Sequence, residues 1–340
     1  MATKTIAVVL AGAVARGAFE AGVIRALASA DVRIVRIIAA SSGALNGTLL
    51  AAAVRTGDVR GGAEALHTLW RDHAEWAEVF HPNLGDLIDR AGSSDQRKLL
   101  ALLRDNVRPS QPAIPADINL RIVVAPLQGT PSAIGPQAAT TYESICEFDS
   151  DAFATEAGLE SVFTAATASA AFPLVFAPVT VGNLGPCVDG GTVNNTPVKW
   201  AIDGALGATI DAVVVVSTSV EQPVAPVELR GIGLIGHLAE MLTDERLYRD
   251  LRDALDVNTT LGKLAQLVQH GVIDQVQLGR VMDAIGWTGR RSVDLVRIRP
   301  VEQLSGNAFS GFFDKAVRVE LLEAGFQRGQ TVLRELDWLP

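Results

Sequence analysis

The chain reads as an α/β protein built on a mostly parallel sheet, and three features predict this. Short apolar runs alternate with helical patterns from the first residues onward. Those runs show no polar alternation, as expected of strands covered on both faces. Finally, 48% of the 340 residues are hydrophobic and only 5% aromatic, so a large core of Ala, Val, Leu and Ile is available.

Taken in order, residues 5–11 (TIAVVLA) predict a first buried strand. Residues 18–28 (AFEAGVIRALA) place Phe19, Val23 and Leu27 on one helical stripe. A second strand at 32–39 (VRIVRIIA) leads into a helical stretch from Gly43 to Val54. Strand, helix, strand, helix is a βαβ opening and requires a parallel pair. Residues 60–106 predict amphipathic helix, carrying Leu66, Leu69, Trp70, Leu99, Leu102 and Leu103. The proline-rich PSQPAIPAD (109–117) that follows cannot be helix interior.

Further strands are expected at 118–125 (INLRIVVA), in TTYESICEF (140–148) and at 209–217 (TIDAVVVVS), with a helix at 158–168. Gly129, Pro131, Gly135 and Pro136 mark a loop between the first two. From Pro226 onward Ile232, Ile235, Leu238, Leu242 and Leu251 recur at near-helical spacing, and Asn258 reads as the cap of a second helix. This region predicts a helical cap packed on the sheet, with a membrane-inserting surface as the alternative. A late strand at 293–298 and a closing helix at 312–334 complete the chain, and no internal repeat is visible. The expectation is one α/β domain over residues 1–340, with a helical insertion at 60–117 and a helical cap at 226–290.

Composition narrows the function. A net charge of −9 with no basic stripe argues against a nucleic-acid partner. Cys146 and Cys187 are too few for a disulfide framework or a zinc site. The opening MATKTIAVVLAGAVARG resembles a signal peptide in its small residues, but its n-region holds only Lys4 and it makes sense as a first strand. No run approaches the roughly 18 apolar residues of a membrane span. The reading is a soluble, cytoplasmic protein that touches a membrane surface at most peripherally and transiently.

Three stretches carry chemistry. In IIAASSGALNG (37–47) an apolar strand stops at two serines and a small-residue helix begins. That is the pattern of an ordinary strand–helix crossover with a serine cap, and also of a nucleophile elbow. If it is an elbow, Ser41 is the better nucleophile, because Gly43 stands two residues on where Ser42 has Ala44. The amide of Ser42 would then face the developing oxyanion. The loop LAGAVARGAFEAG (10–22) lies between strand one and helix one and can aim amides at an anion. It lacks the glycine at position 14 that a dinucleotide fingerprint needs, which favours an oxyanion hole. The third stretch, CVDGGTVNNTPV (187–198), reads on its own as a hairpin turn at Asp189–Gly190. None of His67, His73, His81, His237 and His270 sits in a glycine-rich turn at a strand end, so a Ser-His-Asp triad has no obvious histidine.

Together these stretches resemble the patatin-like phospholipase family. It is marked by a glycine-rich oxyanion loop followed by R/K-G, a G-x-S-x-G elbow and a D-G-G/A segment, matched here by GAVARG (12–17), AASSG (39–43) and DGG (189–191). Neighbouring text is similar as well: GALNG after the serine, SAAFPLVFAPV (169–179) before the aspartate, NNTPV after it, and a fainter echo in NAFSGFFDKAV. The resemblance is dense over residues 5–200. It implies a three-layer α/β/α fold with a mostly parallel central sheet and helical cap elements. It also implies Ser41 as nucleophile, Asp189 as its partner, and oxyanion amides from Gly12, Ala13 and Val14 beside that of Ser42. Arg16, Gly17, Gly43 and Gly190 support these loops; Arg16, on the family's basic position, serves either to anchor the loop by hydrogen bonds or in a catalytic duty.

The implied activity is a serine lipid acyl hydrolase of phospholipase A or lysophospholipase type, acting on a lipid or acyl ester without cofactor or metal. An acyltransferase on the same scaffold and a non-catalytic lipid-binding module are the alternatives. Two departures bear on rate: Ala39 replaces the first elbow glycine, and the oxyanion loop reads Gly12-Ala13-Val14. A non-glycine residue with φ > 0 there costs ~1 kcal/mol.

Overall fold

A computed structural model describes residues 3–80, 92–112, 116–134, 137–202, 209–220, 232–288 and 291–339. Its strands are β1 (Lys4–Leu10), β2 (Val32–Ala39), β3 (Gly92–Ser94), β4 (Asn119–Pro126), β5 (Thr130–Ile134), β6 (Gln137–Thr141), β7 (Ser144–Asp149), β8 (Leu174–Phe176), β9 (Val179–Val181), β10 (Gly185–Asp189), β11 (Ala212–Val216) and β12 (Asp294–Ile298). Its helices are α1 (Gly17–Leu27), α2 (Ser42–Thr56), α3 (Val59–His73), α4 (Trp76–Val79), α5 (Arg97–Asn106), α6 (Glu156–Ser169), α7 (Gly191–Asn194), α8 (Lys199–Ile202), α9 (Ile232–Gln269), α10 (Gln275–Ala284), α11 (Ser310–Phe313) and α12 (Lys315–Glu335).

The main sheet runs β12–β11–β1–β2–β4–β10–β9, with β7 also paired along β4. From β12 to β4 every pairing is parallel, while β10, β9 and β7 pair antiparallel. Alternation along the strands feeds two cores. Ile6, Val8 and Leu10 of β1 face one, with α1, α2, α6 and α12. Ala7 and Val9 face the other, with Ala201, Leu247 and Leu251. The result is three layers, α/β/α.

Buried strands explain the unbroken apolar runs, since neither face needs polar residues. The same demand reaches α1, where every residue but Arg25 is buried. The stripe read from Phe19, Val23 and Leu27 is therefore only part of its packed surface. Its backbone approaches α12 so closely that a side chain at Gly22 would collide with the Leu322 carbonyl, and one at Gly325 with that of Phe19. This clamp fixes the helix that follows the glycine-containing loop.

Several elements differ from expectation. The stretch 60–106 is not continuously helical but includes β3, and the Gly129–Pro131 loop opens the hairpin β5–β6. TTYESICEF is divided between the end of β6 and β7. Asp189–Gly190 is no hairpin turn: Asp189 ends β10 and Gly191 begins α7. Asn258 caps nothing, because α9 runs straight through it; its side chain instead bonds the amide and carbonyl of Val293 at 3.2 and 2.8 Å. The break falls at Gly271 (φ +68°), and Asp274 caps α10 in a capping box. Leu247 and Leu251 pack on the sheet as a cap would, but no residue from Arg252 to Thr288 is buried. His81, residues 113–115, Gly135, Pro136 and the Pro226 start of the cap lie outside the described residues. Among the described residues no helix is long and apolar enough to cross a membrane.

Candidate active site

Strand β2 ends at Ala39, the Ala40 amide bonds the Leu10 carbonyl at 3.2 Å, and α2 starts at Ser42. Between them Ser41 is forced to φ 53° and ψ −130°, a region that a non-glycine residue enters only under constraint. The reversal brings α2 onto β1, and a Cβ at Gly43 would lie 2.5 Å from the Leu10 carbonyl oxygen. Small residues are thus needed for close approach.

Register brings the aspartate alongside. Ala39 pairs with Ile122 of β4, and Asp189 pairs with Val124 further along the same edge, the opposite edge being held by β7. Ser41 lies two residues past Ala39, and Val124 lies two past Ile122, so both groups reach the same level of the sheet. Ser41 Oγ donates to Asp189 Oδ2 at 2.6 Å, and the Gly191 amide donates to Oδ1 at 2.6 Å. Asp189 is 2% exposed and Ser41 7%. Burial pushes the Asp189 carboxyl up to about 7, and the bonds from Ser41 and Gly191 restrain that rise.

Ser169 brackets the pair, and the sequence reading missed it. Its hydroxyl accepts the Ser41 amide at 2.9 Å, and its carbonyl accepts the Gly190 amide at 3.2 Å. The carbonyl of Ala171 holds the Asp189 amide at 3.0 Å. A side chain at Gly190 would strike the Val123 carbonyl, so the bare turn is required. Neither Ser41 nor Asp189 bonds a histidine among the described residues; His67 and His73 lie along α3. No group of His, Cys, Asp or Glu there is arranged to hold a metal ion.

The four amides expected to face an oxyanion divide into two kinds. That of Gly12 donates to the Asn195 carbonyl at 3.2 Å, and that of Ala13 to Ser42 Oγ at 3.0 Å. Gly12 therefore supports the loop here instead of offering a donor. The amides of Val14 and Ser42 have no acceptor among the described residues. Both stand at helix starts, Val14 on a 3-10 turn and Ser42 on α2, where the peptide dipoles favour negative charge. Strain falls on Val14, at φ 53°, while Ala13 sits at −146°. Arg16 donates Nη2 to the Gly306 carbonyl at 3.1 Å, and the Ala15 amide bonds the Ala308 carbonyl at 2.9 Å, so residues 306–308 anchor the loop. At Gly17 a Cβ would come 2.7 Å from the Trp70 ring.

An apolar cleft opens beside Val14, Ser41 and Ser42. Its walls are apolar and include Leu45, Leu49, Leu66, Phe80, Leu102 and Phe176. Beneath it lies a buried polar chain that no local pattern announced. Trp70 Nε1 donates to Asn46 Oδ1 at 2.8 Å, and Asn46 Nδ2 donates to the Gly17 carbonyl and to Glu20 Oε2, each at 3.0 Å. Burial raises the Glu20 carboxyl well above its ordinary range, against the restraint of Asn46 and Ala11.

The model of a family described as patatin-like phospholipase matches residues 8–202. Among solved structures, VipD from Legionella pneumophila is similar at 13% identity and a TM-score of 0.42, covering 98% of this chain and 67% of that one. No curated protein matches.

The strain at Val14 makes a testable statement. Val14→Gly removes a left-handed penalty of ~1–2 kcal/mol per residue and adds back roughly 0.4–1 kcal/mol of unfolded-chain entropy. Denaturant unfolding should show stability unchanged or slightly higher, despite loss of a half-buried side chain. A loss of more than about 2 kcal/mol, on the scale of these terms, would show that the positive φ carries no strain.

Proposed function

The chain belongs to the patatin-like phospholipase family, and from that premise we propose that it is a serine lipid acyl hydrolase of phospholipase A or lysophospholipase type. The observation that carries this reading is the 2.6 Å hydrogen bond from Ser41 Oγ to Asp189 Oδ2 at the end of an apolar cleft. The cleft suits an acyl chain, because its walls offer aliphatic and aromatic carbon and its polar groups gather at the serine end.

The reaction begins with Ser41 Oγ attacking the ester carbonyl carbon while its proton passes to Asp189 Oδ2. A free aspartate, with pKa ≈ 3.9, is too weak a base to ionise the hydroxyl beforehand, so attack and transfer are concerted. Burial makes Asp189 a better match. Negative charge grows on the carbonyl oxygen and is received by the Val14 and Ser42 amides, aided by the α2 dipole. Collapse breaks the ester C–O bond, and Asp189 returns its proton to the departing alcohol. Water then attacks the acyl-serine, gives its proton to Asp189, and the fatty acid leaves as Ser41 recovers its hydrogen.

Side-by-side hydrolysis of short- and long-chain esters tests the pair. Ser41→Ala should abolish turnover, and Asp189→Asn should lower kcat by about 10²–10⁴, the range for a positioned general base. Turnover equal to wild type in either variant contradicts the assignment. Lipid binding without turnover in the wild type would leave a binding module, and acyl transfer to an added alcohol or thiol in preference to water would make the enzyme a transferase.

The buried carboxylate also sets a pH dependence. Asp189 accepts a proton only when ionised, so kcat/KM should climb as pH rises through about 7 and be lost on the acid side. Its raised pKa means that the folded state holds this proton more tightly than the unfolded chain. Its contribution to stability is complete below the ordinary value of 3.8 and is lost as pH rises through about 7. A kcat/KM profile that is flat across that range would remove Asp189 as the base.

A further inference from the structure

One residue outside the serine–aspartate pair grips the oxyanion loop from both sides. Asn195 Nδ2 donates to the Gly12 carbonyl at 2.8 Å, and the Asn195 carbonyl accepts the Gly12 amide at 3.2 Å. The contact is close-fitting: a Cβ at Gly12 would run into Asn195 Oδ1 and come 2.6 Å from Ser41 Cβ, and one at Gly191 would lie 2.5 Å from Asn195 Oδ1. Asn195 therefore fills the space between the loop, the serine and the turn that follows Asp189.

What this does to the loop follows from peptide geometry. The Gly12 carbonyl and the Ala13 amide belong to one planar trans unit and point in opposite directions. Asn195 takes the carbonyl, so the amide is aimed the other way, where Ser42 Oγ receives it at 3.0 Å. A flip of this unit would turn the Gly12 oxygen toward Ser42, beside the place where negative charge must develop, and would re-aim the Val14 amide that follows. Two glycines would usually tolerate such a flip; here only Gly12 is free of a side chain, and the strained Val14 lies two residues on.

Asn195 is itself braced. It closes α7, which begins just after Asp189. Glu143 Oε1 receives Asn194 Nδ2 at 2.8 Å and Trp200 Nε1 at 2.7 Å. Buried Arg121 and Arg36 hold the carbonyls of Trp200 and Ala201 at 2.8 and 3.0 Å. One short, anchored segment thus carries both the base and the grip on the oxyanion loop, so the two cannot drift apart independently.

We propose that Asn195 is a positioning residue of this site, whose side-chain amide locks the Gly12–Ala13 peptide and thereby aims the Val14 and Ser42 amides at the tetrahedral oxyanion. The inference rests on the hydrolase reading and adds to it a residue that acts through the Gly12–Ala13 peptide.

Asn195→Asp tests it with little change of shape, because it keeps the main-chain oxygen and replaces only the donor; Asn195→Ala is the second variant. On an acyl ester, kcat should fall about 10²-fold or more, the effect of losing an oxyanion donor, with KM held within about twofold. A reversible trifluoromethyl ketone that mimics the tetrahedral state should weaken in step with kcat/KM, while a long-chain primary alcohol, which brings no anionic oxygen, binds as before. A purely structural residue would lower the melting temperature and the amount of active enzyme but leave kcat per labelled site intact. If wild type is active, Ser41→Ala is dead and both Asn195 variants keep wild-type kcat and ketone affinity, this inference is overturned and the hydrolase reading stands. If Ser41→Ala retains the wild-type rate, the underlying reading fails and the inference with it.

Discussion

A buried hydroxyl-to-carboxylate hydrogen bond between residues far apart in sequence organises this molecule. Ser41 and Asp189 can meet only if β2, β4 and β10 keep their register, because β2 and β10 follow one another along the same edge of β4. They can meet out of water only if the carboxylate retains partners, which Ser41 and Gly191 supply. Ser169 ties the two turns together from beneath, receiving an amide from one and giving a carbonyl to the other. The parallel sheet, the clamp of α1 on α12 and the short β10 all serve that convergence.

The arrangement concentrates conformational cost where the chemistry lies. Ser41 and Val14 both hold positive φ, at 53° each, and the third such non-glycine residue among those described, Asp337, lies far from the site in sequence. Strain of this kind persists only when surrounding structure over-determines it. Here Leu10, Ala308, Asn195 and Ser42 each hold part of the two turns. The burial that raises the Asp189 carboxyl to about 7 belongs to the same account: a carboxylate at the surface would keep its ordinary value and, in the proposed reaction, match a serine proton less well.

Much of this was legible in the sequence, for definite reasons. A parallel sheet writes itself as continuous Val, Ile and Ala runs, so β1, β2, β4 and β11 stand out, although β11 is shorter than its run. The serine junction is legible because close backbone approach leaves only Ala and Gly at 39, 40, 43 and 44. Asp189 was ambiguous on its own, since Asp-Gly serves a hairpin equally well; the family resemblance separated the readings, and the register explains the geometry. Local signals misled where tertiary contacts overrode them. Asn258 has the chemistry of a helix cap but spends it on Val293, and the prolines and glycines near 130 permit a separate two-stranded hairpin as readily as a loop. The division of the loop amides could not be read at all. Which N–H is spent and which is available depends on the Asn195 carbonyl and the Ser42 side chain arriving from other segments. The same holds for Ser169 and for buried Glu20, which looks in sequence like any helix-surface carboxylate.

The central claim is that Asp189 makes Ser41 a nucleophile, and the rate at which a fluorophosphonate reagent acylates that side chain tests it most directly. The adduct should map by peptide mass spectrometry to Ser41 alone, and should form about a hundredfold more slowly in Asp189→Asn than in wild type. An adduct on another residue, or one that forms at the same rate without the carboxylate, would contradict the account.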